Sequence, residues 1–301
     1  MKVLITGATG LVGSELVSLL LKNGININYL TTSKRKIQNE NQYKGFYWDP
    51  HNGVINENCI DEVDAIIHLA GSSIAKRWTS SYKEEVLESR IVSANILYNL
   101  LKNKQNTVKH FICASAIGIY PDSMENVYAE DETGIDASFL GNVVQKWEAA
   151  ADDISRLGIK VSKIRTGLVL SSKGGMLKEL AKPVRLGLGS AFGTGEQMQS
   201  WIHLQDLTGI YFFVLQNKLE GVFNAVAPYP VSQNDMVKCV ASVLDRPYFM
   251  PNIPKFIANI VLGEMSILLL SSQNVSAKKI ISEGYQFKYL SLEKALQQEL
   301  Q

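Results

Sequence analysis

Residues Gly7-Ala8-Thr9-Gly10-Leu11-Val12-Gly13 follow a short apolar run, Lys2 to Thr6, and open a segment, Leu11 to Lys22, whose apolar residues recur at helical spacing. Glycines so placed between a strand and a helix constrain the chain more than any other feature. The first permits a tight turn, the second lets backbone approach a ligand, and the third lets the helix pack closely on the strand. Behind the turn, the helix N-terminus presents backbone N–H groups and the positive end of its dipole to an anion. In this strand–turn–helix context, Gly7, Thr9, Gly10, Leu11, Val12 and Gly13 read as a site for the pyrophosphate of a dinucleotide.

The rest of the chain fits such a turn. Asn26 to Thr31 reads as a second strand, and the strand pattern returns at Ala65–Leu69, His110–Ala114 and Lys160–Arg165. Helical patterns lie between them, at Tyr82–Lys102 and at Phe139–Leu157, the latter ended by Gly158. Apolar strands alternating with helices predict an α/β protein with a Rossmann-type, doubly wound parallel sheet covered on both faces. After residue 170, glycines at 174, 175, 187, 189, 193 and 195 and prolines at 228, 230, 247, 251 and 254 change the texture. A dinucleotide-binding domain is expected over residues 1–170, with a return segment at about 201–227. A second, smaller α/β substrate domain is expected over 171–200 and 228–301, lying over the sheet's carboxyl edge.

Composition removes several function classes. Thirty basic and 29 acidic residues among 301 give a formal net charge of +1, so no bulk field draws the chain to nucleic acid or an anionic membrane. Cys59, Cys113 and Cys239 show no CxxC spacing, and His51, His68, His110 and His203 are dispersed, which argues against a disulfide framework or a metal site. Residues after Met1 run straight into strand with no leader pattern. Phe256–Leu270 is interrupted by Asn259 and Glu264 and is too short to span a bilayer, so it reads as a buried amphipathic helix. The expectation is a cytoplasmic protein acting on a small molecule, with its oligomeric state not readable.

The end of the second strand selects the cofactor. An acid there would bind a ribose 2′-hydroxyl, whereas cations accept a 2′-phosphate. Here stand Thr31, Thr32, Ser33, Lys34, Arg35 and Lys36, with no acid before Glu40. The cofactor expected is NADP(H), with NAD(H) the lesser choice.

Further motifs narrow the class. They include His68-Leu69-Ala70-Gly71, Arg77-Trp78-Thr79, Glu88-Ser89-Arg90, Ser115-Ala116-Ile117-Gly118-Ile119-Tyr120 and Lys146-Trp147-Glu148-Ala149-Ala150. Later come Arg165-Thr166-Gly167-Leu168-Val169-Leu170, Gly193-Thr194-Gly195-Glu196-Gln197, Ser200-Trp201-Ile202-His203 and Asn224-Ala225-Val226-Ala227-Pro228. With these the chain resembles an atypical extended short-chain dehydrogenase/reductase of the YfcH-like, sugar-nucleotide-epimerase-like subgroup, including its small C-terminal domain. The resemblance implies that Thr9 to Val12 hold the pyrophosphate, that Leu69, Ala70 and Gly71 line a ribose, and that Glu85, Arg90 and Val169 contact cofactor. Relatives often carry Ser-Arg where Thr31-Thr32 stand here, so a 2′-phosphate would rely on Thr32, Ser33 and the displaced Lys34 or Arg35.

One expected element is missing. Ordinary members of this superfamily use a tyrosine and a lysine four residues apart on the helix after Ser115, the ammonium lowering the phenol pKa for proton exchange. Anchoring that helix on Glu148 puts Leu140 and Val144 at those positions. The chain's one Tyr-x-x-x-Lys, Tyr98 and Lys102, lies on the preceding helix and reads as a surface pair with Tyr98 partly packed. Ser115 either donates to a substrate oxygen or closes a turn. Tyr120 either replaces the missing phenol or packs against the second domain. Arg165 either clamps an anion or braces the sheet, and the Lys182–Gly187 loop either binds a phosphorylated substrate or is a solvated hinge. Asp206 is expected to cap the helix from Leu204, with His203 packed or hydrogen-bonded beside it. Two readings follow: an oxidoreductase or epimerase that moves hydride through NADP(H) to or from a small carbonyl or nucleotide-sugar substrate, or an NADP(H)-binding redox sensor or interaction protein without turnover.

Overall fold

The computed structural model describes residues 1–301. The strands that position the site are β1 (Lys2–Thr6), β2 (Asn26–Thr31), β3 (Tyr43–Asp49), β4 (Ala65–His68), β5 (His110–Ala116), β6 (Lys160–Thr166), β7 (Leu168–Leu170), β8 (Trp201–His203) and β9 (Gly221–Ala225). Seven of them form a parallel sheet in the order β9-β6-β5-β4-β1-β2-β3, with short antiparallel additions at Asn39–Glu40 and Val54–Ile55 on the β3 edge. The chain runs outward from β1 to β3 and then returns to β4 on the other side of β1. That reversal opens a crevice at the carboxyl ends of β1 and β4, where sheets of this kind bind ligands.

Alternation along the strands divides the core between the two faces. Val3 and Ile5 of β1 join Leu16, Val17 and Leu20 of helix α1 (Leu11–Lys22) and Ile210 and Val214 of α5 (Leu204–Asn217). Leu4, between them, joins Leu97 and Leu101 of α2 (Ser80–Asn103) and Trp147 of α3 (Phe139–Asp152) on the opposite face. All four residues of β4 are buried, as covering on both faces requires.

The periodicity does not reveal β3, Tyr43-Lys44-Gly45-Phe46-Tyr47-Trp48-Asp49, because Lys44 and Gly45 interrupt its apolar pattern. Gly45 is there for clearance. A Cβ on it would lie 2.6 Å from the Tyr29 ring, which stacks on Tyr43 at 4.3 Å. The Tyr29 hydroxyl continues past the glycine, donating to Lys36 O at 2.6 Å and accepting from Gln38 N at 2.8 Å.

A third cluster, with Leu170, Leu177, Val184, Trp201, Met236 and Leu296 among its members, is built by α4 (Gly175–Arg185), α6 (Gln233–Val243) and the terminal helix Leu292–Leu300. Val275, Ala277 and Ile280 pack instead in the sheet's own core, so the C-terminal part of the chain touches both bodies. Two local expectations are corrected. Lys182 and Arg185 lie on α4, not on a loop, and Lys182 pairs with Glu179 at 2.6 Å. Phe256–Leu270 is not one buried helix: Gly263 at φ +58° breaks it after α7 (Lys255–Leu262), where Phe256 is 64% and Ile260 75% exposed. No helix is long and apolar enough to cross a membrane.

Candidate dinucleotide cleft and adjoining pocket

The turn after β1 is tight. Gly7 has φ +72° and its carbonyl accepts from Gly10 N at 3.0 Å. A Cβ on Gly13 would lie 2.1 Å from Gly7 O, so only glycine lets α1 begin this close to β1. Gly10 caps α1 without any side-chain hydrogen bond, and no acid lies in the first turn. The positive end of this helix is thus neither capped nor neutralised by side chains, the condition an anion needs.

The floor of the crevice is held by a hydrogen-bond relay that periodicity does not disclose. Thr6 Oγ1 accepts from Leu69 N at 3.1 Å and Ala70 N at 3.0 Å, so its own proton points to His68 Nδ1 at 2.8 Å. That assigns the imidazole proton to Nε2, which faces Ser93 Oγ at 3.1 Å, while Ser93 donates to Ser89 O at 2.6 Å. His68 is fully buried, and burial together with the charge of Arg90 lowers its pKa to about 3. It is a neutral strut that fixes the backbone of Leu69 and Ala70.

A cleft of about 880 Å³ opens above this floor. Gly7, Thr9 and Gly10 line one end, Thr31 and Thr32 the end of β2, and Leu69, Ala70, Gly71 and Glu85 the β4 side. Ser72 Oγ donates to Glu85 Oε1 at 2.8 Å. Trp48, Asp49 and His51 also line it, brought there by the unforeseen strand β3. Lys34 and Arg35 lie on the exposed turn just after Thr32, outside the cleft wall, with Lys34 Nζ 5.0 Å over the Tyr47 ring. Arg90 is below the wall. Its Nη1 donates to Val86 O at 2.8 Å and Ser72 O at 3.2 Å, the guanidinium lies 4.8 Å from the Trp147 ring centre, and burial lowers its pKa to about 10. Leu11 and Val12 begin α1, and Val169 lies on β7 opposite Ile202 of β8.

A smaller pocket of about 190 Å³ lies at the carboxyl ends of β5 and β6. Ala116, Leu140, Val144, Thr166, Gly167 and Leu168 are among its walls. Leu140 and Val144, placed by the sequence where a Tyr/Lys pair would stand, do face this pocket, and neither can carry a proton. Asp136 is the one ionisable side chain in the wall, with Oδ1 accepting from Ser138 N at 2.8 Å.

Ser115 and Tyr120 do not face either space. Successive residues of a strand point to opposite faces, so Ala116 meets the pocket and Ser115 turns inward. Its hydroxyl donates to Glu148 Oε1 at 2.5 Å inside the protein. Tyr120 is wholly buried, stacks on Tyr128 at 5.3 Å, donates to Asn224 Oδ1 at 2.8 Å and accepts from Arg165 Nη1 at 2.9 Å. Burial raises its pKa against the opposing pull of Arg165, so the phenol stays protonated. The expectations that Ser115 touches substrate or that Tyr120 replaces the missing phenol are therefore corrected: both serve a buried network. Arg165 braces the sheet through Glu148.

The tail is tied down nearby. Asp206 does not cap α5: its carboxylate accepts from Lys288 N at 2.7 Å, Tyr289 N at 2.9 Å and Tyr285 Oη at 3.1 Å. The cap is His203, whose Nδ1 accepts from Gln205 N at 3.1 Å while its ring stacks on Tyr289 at 3.8 Å.

A doubly wound sheet with an uncapped glycine turn at its switch point defines a dinucleotide-binding protein of the short-chain dehydrogenase/reductase type. Residues 3–139 match the NAD dependent epimerase/dehydratase family, and residues 253–299 match a domain of unknown function, DUF1731. The chain is 36% identical over 294 residues to the Staphylococcus epidermidis epimerase family protein SERP0438, covering 97% of each. Among solved structures, it is similar to the human epimerase family protein SDR39U1 (isoform 2) with NADPH, at 30% identity and TM-score 0.86 over 99% of both chains. It is also similar to a nucleoside-diphosphate sugar epimerase from Corynebacterium glutamicum, at 30% identity and TM-score 0.80, covering 100% of this chain and 58% of that one. The chain belongs to the NAD dependent epimerase/dehydratase family.

Proposed function

We propose that this chain binds NADP(H) in the 880 Å³ cleft and takes part in hydride transfer to or from a small carbonyl or alcohol without a tyrosine–lysine pair. The observation that carries the reading is the helix start at Gly10, free of any capping side chain or first-turn acid, beside the close approach of Gly13 to Gly7. The residues present fit the cofactor: Thr9 to Val12 would hold the pyrophosphate, Leu69 to Gly71 a ribose, and Thr31 and Thr32 the adenosine side. Lys34 and Arg35, exposed at the rim, would meet a 2′-phosphate from solvent. A nicotinamide dinucleotide supplies a hydride donor or acceptor when bound. The human relative solved with NADPH supports the phosphorylated form.

Proton exchange with the substrate oxygen falls to Asp136 and Ser138 in the smaller pocket, or to water, since Ala116, Leu140 and Val144 offer none. Those apolar residues also favour a second reading, a cofactor-binding protein without turnover. Fluorescence titrations with NADPH and NADH test the cofactor assignment. Tighter binding of NADPH, lost in Lys34→Ala/Arg35→Ala, is expected, and tighter binding of NADH overturns it. Stereospecific exchange of deuterium between labelled NADPH and a carbonyl probe separates turnover from binding alone.

A further inference from the structure

The smaller pocket contains a polar side chain to which the reading above gives no role. Gln199 is only 7% exposed and stands in its wall, yet its carboxamide makes no hydrogen bond within the protein. The neighbouring amide N–H groups and the Ser200 hydroxyl, by contrast, have protein partners. Gln197 Nε2 donates to Leu269 O at 2.9 Å, Gln273 Nε2 to Tyr120 O at 2.8 Å, and Ser200 Oγ to Gln273 O at 2.8 Å. The Gln199 backbone is held by pairing with Val231. Neither carboxamide atom is fully enclosed, so an amide with no protein partner is left open to hydrogen-bond a ligand or water from the pocket.

The rest of the wall limits what that ligand is. Ile74, Leu140, Leu168, Ile267 and Leu268 are apolar, and no lysine, arginine or histidine lines the space. Recognition of a diphosphate relies on cations or clustered backbone N–H groups. The volume, about 190 Å³, is below the ~300–1,000 Å³ of pockets that enclose drug-sized ligands.

Resting on the NADP(H) reading above, we infer that Gln199 is the substrate-recognition residue, and that the substrate is a small, uncharged, largely apolar carbonyl compound or its alcohol rather than a nucleotide sugar. A carboxamide suits both oxidation states, since its N–H donates to a carbonyl oxygen and its C=O accepts from a hydroxyl.

Ligand-observed NMR titration of the NADPH-loaded protein with cyclohexanone and with UDP-glucose tests this. Saturable cyclohexanone binding that UDP-glucose does not displace is expected. Gln199→Leu should weaken it about tenfold, the equivalent of one neutral hydrogen bond, while NADPH affinity stays within about twofold. If Gln199→Leu melts well below the wild type, Gln199→Met, which keeps the length without the amide, is expected to show the same loss. Displacement by UDP-glucose, absence of cyclohexanone binding, or wild-type cyclohexanone affinity in a folded Gln199 variant overturns the inference. NADPH titration of the same samples shows separately whether the cofactor reading has failed. In that case, cyclohexanone binding to the unloaded protein, and its loss in the variant, still decides the role of Gln199.

Discussion

Arg165 on β6 and Glu148 on α3 meet in a two-pronged ion pair, Nε to Oε1 at 2.9 Å and Nη2 to Oε2 at 3.0 Å, inside the protein. Ser115 donates to the same carboxylate, Lys163 lies 3.7 Å away, and Arg165 continues to Tyr120, so one acid organises the ends of β5 and β6. Removing that acid leaves a buried guanidinium without its counter-ion. Glu148→Ala should cost about 3–5 kcal/mol in urea unfolding, and a loss below about 1 kcal/mol would contradict the structural role.

Tyr120→Phe separates the buried network from the chemistry. The variant leaves Asn224 and Arg165 each short of one partner, a loss of about 1–3 kcal/mol in stability. Dinucleotide affinity and any hydride exchange should stay at the wild-type level when measured well below the melting temperature. A selective loss of exchange in a fully folded variant would return Tyr120 to the reaction.

Acid should destabilise the protein before most carboxylates titrate. Burial lowers His68 to about 3 and His110 to about 4 from an ordinary 6.5, so both are neutral when folded. Between those values the unfolded chain binds more protons, and stability falls as pH drops through 6.5. From pH 7 to pH 5 the two imidazoles should remove on the order of 2 kcal/mol each, read as a falling urea midpoint. Glu148 adds to this lower down. Burial acts to raise its pKa, but Arg165, Ser115 and Lys163 outweigh burial and hold it below 4.5. Its contribution is present above that value and is lost as pH falls through the lower folded one. A flat midpoint between pH 7 and 5 would refute the imidazole assignment.

Gly13→Ala tests the turn itself. A methyl group 2.1 Å from Gly7 O must push α1 away from β1. We expect NADPH affinity to fall at least tenfold, with a stability loss of about 1–3 kcal/mol from overpacking. Gly24→Ala, where nothing lies within 4 Å of an added Cβ, is the control for affinity although its φ of +71° carries some strain. Equal NADPH affinity in wild type and Gly13→Ala would show that the turn does not hold the phosphate.

The sequence by itself determined most of the parallel sheet and its glycine turn, because both are local. The turn from Gly7 to Gly13 works through backbone spacing and helix polarity, and the alternation of β1, α1, β2, β4, β5 and β6 is written in runs of apolar residues. The absence of the tyrosine–lysine pair was likewise legible, since Leu140 and Val144 occupy fixed offsets from Glu148 on one helix. Strand β3 was not, because Lys44 and Gly45 break its pattern and Gly45 makes sense only beside the Tyr29 ring. Tertiary structure also decided the direction each side chain takes. Ser115 and Ala116 are adjacent in sequence, yet strand pleating sends one to Glu148 and the other to the pocket. Nothing in the sequence around His68, Arg165 and Gln199 tells which of them is paired inside the protein. The first two have their hydrogen bonds completed by residues distant in the chain, while Gln199 is left without a partner, and only packing in three dimensions makes that difference.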